Sequence, residues 1–146
     1  MPEKETLKRA KKDKREGKSA STQAGEFVRE EIEHVREHKH GARSAKQVIA
    51  IGLSKARRAG VNLPPSKNAS EETKEQAARE TRKAKTGGNS KTSVKRSRAA
   101  TRKLKREGHS AASKLALSRH ARSVAAKQSA VSRSRSARKA AATRKE

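Results

Sequence analysis

Side chains able to build a hydrophobic core are scarce in this chain, and that scarcity limits what it can fold into. Val, Leu, Ile and Phe together number 17 among 146 residues, well below the ~20% under which strongly charged chains tend towards disorder. So little apolar surface cannot offset the conformational entropy of ordering every residue. One large core is excluded. A small one is expected where the apolar residues cluster, and the rest of the chain is expected to stay flexible when free. The expected fold class is mostly α and disordered.

The cluster lies between residues 22 and 65. Ala24, Val28, Ile32 and Val35 recur at spacings of four, four and three, with Phe27 beside them, which predicts an amphipathic helix over about 22–40. Glu26, Glu30, Glu33 and Glu37 fall on its other face, and Arg36, Lys39 and Gly41 suit its C-terminus and a left-handed cap. Ser44, followed three residues later by Gln47, reads as a capping box. Ala45, Val48, Ile49, Gly52, Leu53 and Ala56 then keep helical spacing until Gly60, Pro64 and Pro65 end the pattern. The short joint at Gly41–Arg43 predicts a small antiparallel helical hairpin over 22–65, with Val61 and Leu63 folded back over its open end. A unit this small is near the size at which domains need a partner subunit, so a homodimer through the hairpin stays open. Ile51, nearly opposite Ile49, reads as a lone exposed isoleucine or as a dimer or partner surface.

The flanks are polar. Residues 1–21 read as a disordered basic arm dominated by Lys8, Arg9, Lys11, Lys12, Lys14, Arg15 and Lys18. Ser70 can cap a connector helix over about 71–85, with Glu71, Glu72 and Glu75 early and Arg79, Arg82, Lys83 and Lys85 late. Its faces offer only Ala and Thr, so it is expected to be solvated and to fray, and the connector (66–89) ends at a Gly87-Gly88 hinge. From 90 to 146, 18 Lys+Arg meet only Glu107 and Glu146, placing +16 of the net +25 in a low-complexity cationic tail. This tail is expected to be disordered, with nascent helix at most and a thin apolar side of Leu115, Leu117, Ala121 and Val124. Residues 14–20 (KREGKSA) echo in 105–111 (KREGHSA): each is a basic stretch, a Gly break and a Ser able to cap the next helical run.

Catalysis is not expected. The chain has no Cys, Asp13 is its one aspartate, and no Ser or His has the context of an activated nucleophile. Gly87-Gly88-Asn89-Ser90-Lys91 lacks the strand and spacing of a phosphate loop. His34 and His38, four apart, with Glu30 a turn earlier and His40 just beyond, have the spacing of a helix-face zinc or nickel site. No fourth ligand or outer partner can be identified, so a solvated face is the reading, with no metal, cofactor or small-molecule substrate expected. No apolar run approaches the ~20 residues of a membrane span and the N-terminus has no apolar signal core. A cytoplasmic protein with no membrane partner is expected.

A net charge of +25 suits a polyanion, since each neutralised phosphate releases counterions. Phe27 is the sole aromatic, which removes base stacking and argues against single-strand platforms. Sequence-tolerant contact with phosphates remains, duplex DNA being favoured over RNA. The candidate contacts are Lys95, Arg96, Arg98, Arg102, Lys103, Lys105, Arg106, Lys114, Arg119, Arg122, Arg133, Arg135, Arg138 and Lys139 in the tail, with Arg57 and Arg58 near the end of the second helix. A helix-turn-helix would put that second helix in a major groove, but its charges read better as phosphate contacts or a solvated face. Ser132-Arg133-Ser134-Arg135-Ser136 is a short Arg-Ser repeat whose phosphorylation would cancel tail charge.

Residues 44–56, SAKQVIAIGLSKA, resemble the signature segment of a family of small basic bacterial proteins with a domain of unknown function, over about 22–65. The sequence departs at Val48 and Gly52, where the family has Ala, and Gly52 is expected to loosen the second helix by up to about 1 kcal/mol. The resemblance implies a bacterial origin and a helical fold, and no catalytic residues. The tail is similar to the Lys/Ala/Ser/Arg-rich extensions of linker histones and bacterial histone-like proteins, which implies a nucleoid-associated, DNA-condensing role. The expected function is thus non-enzymatic, histone-like DNA binding. An RNA- or ribosome-associated factor, and an adaptor docking through the hairpin, are the alternatives.

Overall fold

The computed structural model describes residues 2–86 and 93–143. The Gly87-Gly88 hinge and the Asn89-Ser90-Lys91 segment lie outside the described residues. Every element among the described residues is helical: α1 (Lys4–Arg15), α2 (Ala20–Arg36), α3 (Ala45–Arg58), α4 (Glu71–Lys85), α5 (Val94–Lys105), α6 (Lys114–Ala126) and α7 (Ala130–Thr143), with a 3-10 turn at Ser110–Ala112 before α6.

Helices α2 and α3 are the centre of the molecule. The Ser19 hydroxyl accepts from the Thr22 amide to cap α2, and Ser44 accepts from the Gln47 amide to cap α3. Gln47 reaches back to accept from the Arg43 amide, 2.9 Å away, one residue short of the reciprocal capping box. Contacts run in opposite order along the two helices. Val35 and Val48 share one core cluster, Gly52 lies against Val28, and Ala56 shares the other cluster with Phe27 and Ala24. Val61 is buried in that second cluster and Leu63 lies on it.

The expectation for Gly52 is reversed by this packing. A Cβ there would meet the backbone of Val28 at 2.6 Å, so the missing side chain is what lets the helices close up, and its entropic cost is offset by contact. The buried stripe of α2 also differs from the expected one. It runs through Ala24, Phe27, Glu30, Glu31 and Val35, with Val28 and Ile32 half-buried. Two neighbours, α1 and α3, cover α2, and they widen its buried face beyond a single stripe.

The expected disordered arm is instead α1, lying on α2. It was hidden because the residues it buries, Thr6, Ala10 and Asp13, are small or polar. Directional contacts replace an apolar stripe: Arg9 pairs with Glu26 at 2.6 Å, and the Glu3 amide donates to buried Glu30 at 3.1 Å. Gly17, at φ +71, ends α1 and Ser19 starts the next helix, as the basic-Gly-Ser pattern suggests. In the echo segment Ser110 opens the 3-10 turn and Ser113 caps α6.

Helix α4 spans the expected residues under a Ser70 cap, but it is not a solvated connector. Ala77 and Glu80 are buried against the rest of the fold, and α4 packs on α3. The tail likewise differs from the expected chain of nascent helices, since Ala-, Lys- and Arg-rich segments are good helix formers. Its root is part of the core: Ala111 and Ala112 join Val35, Ala42 and Val48. The Gly41 amide donates to the Leu104 carbonyl at 3.0 Å, and the Ala42 amide to that of Gly108 at 2.9 Å. Gly41 is therefore needed for close approach to residues 107 and 108. The left-handed residue closing α2 is His38, at φ 61, where the His38 and Lys39 amides return to the Val35 and His34 carbonyls.

Candidate nucleic-acid interface

Helix α5 carries Lys95, Arg96, Arg98, Arg102, Lys103 and Lys105, with Arg106 as its C-cap. Spacings of three, four and three place Lys95, Arg98, Arg102 and Lys105 on one face. Lys114, Arg119 and Arg122 project from α6, and Arg133, Arg135, Arg138 and Lys139 from α7. All of these side chains are exposed. Helices α5 and α6 bury no residue of their own. The apolar side expected on α6 is largely open too, with Leu115 and Val124 at 60% and 43% exposure, while Leu117 is half-buried beside Leu53 and α2.

The folded half treats its cations differently. Among the described residues the ion pairs join positions 3 to 80, apart from Arg43 with Glu107 at 3.5 Å. Arg57 and Arg58 belong to that half, not to the tail's exposed set. Arg57 is buried, donates to the Leu63 carbonyl at 3.0 Å and lies 3.7 Å from Glu80. Arg58 donates to Ser54 at 2.8 Å and to Glu80 at 3.3 Å. Glu80 also accepts from Ser54 and Gln76. A helix-turn-helix would lose Arg57, which α4 holds through Glu80, whereas the Arg58 side chain stays 62% exposed. Ile51 is half-buried in the open groove that α4 forms with α3, so it is not the lone exposed isoleucine.

Acids also concentrate where α3 meets α2. Lys55 sits between Glu30 and Glu31, 3.3 Å from Glu30 and in direct contact with Glu31. Burial pushes the Glu30 carboxyl up, but hydrogen bonds from Thr6, the Glu3 amide and Lys55, with the Lys55 charge, outweigh it and hold the group below its ordinary value. Glu3 is lowered as well, first by the hydrogen bond from His34 and then by Lys39.

His34 and His38 do not share a helix face, and the solvated face read from the sequence does not describe His34, whose side chain is only 13% exposed. His38 leaves the helix in the left-handed conformation and its ring lies 4.2 Å from that of His109. His34 instead meets His40, at 6.1 Å between ring centres, with Glu31 at both imidazoles: 3.4 Å to His34 Nδ1 and 3.3 Å to His40 Nε2. Glu31 and Glu80 are the residues that sequence reasoning missed. For Glu31 a signal existed, since it falls in helical register with Ala24, Phe27 and Val35.

Comparison with known proteins finds one family match on this geometry. Residues 11–67 match the model of a family of unknown function, DUF6496. The matched segment runs from within α1 through α2 and α3 to the residues after Pro65, so it coincides with the paired, core-bearing part and stops before α4 and the cationic helices. No curated protein and no solved structure matches the chain.

Proposed function

We propose that this is a non-enzymatic, sequence-tolerant DNA-binding protein of histone-like type, in which the α2–α3 hairpin anchors a cationic tail that lies along duplex phosphates. The observation that carries this reading is the contrast in pairing. The exposed cations of α5 and α6 have no acid partner among the described residues, whereas Arg57, Arg58 and Lys55 are bound to buried carboxylates. Unpartnered cations on one flank form the electrostatic footprint expected of a phosphate binder. With Phe27 buried, no exposed aromatic is present for stacking. In this reading the protein works in the bacterial cytoplasm on the nucleoid, with the exposed faces of α5, α6 and α7 laid along the phosphates.

The test is the salt dependence of affinity for a labelled DNA duplex, measured on the full chain and on a chain ending at Gln128. The cut is placed there because the root of the tail, Ala111 and Ala112, is core, so a cut at Gly88 would confound binding with folding. Removing Arg133, Arg135, Arg138, Lys139, Arg144 and Lys145 should lower the log–log slope by up to about 5. Equal slopes would overturn the tail model. A double-stranded RNA of the same length serves as the second arm, and a stronger, less salt-sensitive affinity for it would favour the ribosome-associated reading.

A further inference from the structure

We propose that Glu31, His34 and His40 form a binding site for a divalent transition ion of the zinc class, at the junction between α2 and the loop leading to α3. One carboxylate oxygen and one nitrogen from each ring all lie within 4.8 Å of one another. His40 Nε2 lies 3.3 Å from Glu31 Oε2, the edge of a tetrahedron around an ion held at ~2.0–2.1 Å, which is about 3.3 Å, and His34 Nδ1 approaches the same carboxylate at its other oxygen, 3.4 Å away.

The orientation of both rings is fixed from outside. His40 Nδ1 lies 3.0 Å from the Gly41 carbonyl, an acceptor only, so Nδ1 carries the proton and Nε2 faces Glu31. His34 Nε2 lies 2.9 Å from the Glu3 carboxylate, so Nε2 carries the proton and Nδ1 faces Glu31. A carbonyl or carboxylate behind each imidazole is the arrangement that orients histidines towards a metal. With neutral imidazoles, two lone pairs point at a carboxylate, and a cation between them resolves the repulsion.

An independent observation points the same way. Glu31 is fully buried, and its Oε2 has no hydrogen-bond partner. Such an atom is costly unless something occupies its lone pairs. Lys55 occupies the other oxygen, Oε1. The groups around the site are Glu3, Glu30 and Glu31 against Lys39 and Lys55, a net negative set that does not repel a cation. Two imidazoles and one carboxylate select zinc, nickel or cobalt over calcium and magnesium. Three protein ligands leave a fourth position for water on the side where His34 and His40 are 13% and 16% exposed. An ion held there would fix His40, and next to it Gly41, the residue on which the root of the cationic tail docks.

The experiment is calorimetric titration of the full chain with zinc chloride in a non-coordinating buffer, beside magnesium chloride, and with cobalt chloride for its absorption spectrum. Expected are one zinc per chain, a tetrahedral cobalt spectrum, no response to magnesium, and a Tm that rises with zinc. His34→Ala and His40→Ala should each weaken zinc by more than the roughly 10- to 100-fold that loss of an outer partner costs. Glu3→Ala, which removes the partner behind His34, should weaken it by about 10-fold. His38→Ala and His109→Ala should leave it unchanged. Because Glu31→Gln can fail to fold, the two surface-accessible histidine variants carry the decision. Zinc affinity unaltered in both, an equal loss in His38→Ala, or no zinc binding at millimolar concentration would overturn the site.

Discussion

The two ends of this chain share a composition rich in Lys, Arg, Ala and Ser, yet they use charge in opposite ways. In α1–α4 the cations at the helix interfaces face acids: Arg9 with Glu26, Lys55 with Glu30 and Glu31, Arg57 and Arg58 with Glu80. In α5–α7 the acids are nearly gone, and the cations stand exposed on helices that bury almost nothing. Basic charge is therefore structural where it meets a carboxylate at a helix interface and available where it does not. A chain with so few large apolar residues extends its core with buried ion pairs, and such pairs are strongly asymmetric. Keeping both partners is close to neutral, while removing one leaves an uncompensated buried charge.

That asymmetry gives the largest expected effect. Glu80→Ala removes the carboxylate that pairs with Arg57 and accepts from Arg58, Ser54 and Gln76 and should cost about 3 kcal/mol, read as a fall in the denaturant midpoint of the full chain. The low end of the range is chosen because Arg58 is solvent-exposed. A loss under about 0.5 kcal/mol would mean that α4 is the solvated connector its sequence suggests, and the contrast between the two halves would weaken.

Gly52→Ala comes next. Helix propensity alone favours Ala by about 1 kcal/mol, but the added Cβ meets the Val28 backbone and overpacking costs about 1–3 kcal/mol. A net destabilisation of about 1–2 kcal/mol is expected in a thermal melt, and a stabilised variant would show that α2 and α3 do not approach as described. The smallest effect belongs to the tail. The triple variant Arg133→Gln, Arg135→Gln and Arg138→Gln should change stability by less than about 0.5 kcal/mol while lowering the salt slope of DNA binding by up to about 3. A stability loss comparable to that of Glu80→Ala would give α7 a place in the fold and remove the distinction.

Much of the architecture was legible in the sequence wherever local chemistry sufficed. Ser44 and Ser70 cap the helices they were expected to cap, because a cap needs only its own backbone and a side-chain oxygen a few residues away. Val61 and Leu63 fold back as their position after Gly60 suggests. Helix α1 was not legible, since its docking depends on Arg9, Thr6 and the Glu3 amide meeting α2, and none of these produces an apolar period. The buried face of α2 was misread by one position for a related reason. Val28 and Ile32 look like core by hydropathy, whereas Glu31 looks like surface until Lys55 and the two imidazoles surround it.

The sequence by itself determined the helical class, the helix caps, the near-absence of aromatic side chains and the +16 excess beyond residue 90. All of these come from local preference or from counting. Only the tertiary structure decided which charges are held against carboxylates and which stand exposed, that Gly52 and Gly41 are sites of close approach, and that His34 pairs with His40 and Glu31 instead of with His38. These outcomes depend on residues brought together from distant parts of the chain, such as Glu31 with Lys55 or Gly41 with Leu104. Burial converts a charged side chain from a solvated group into a fixed partner only after that meeting.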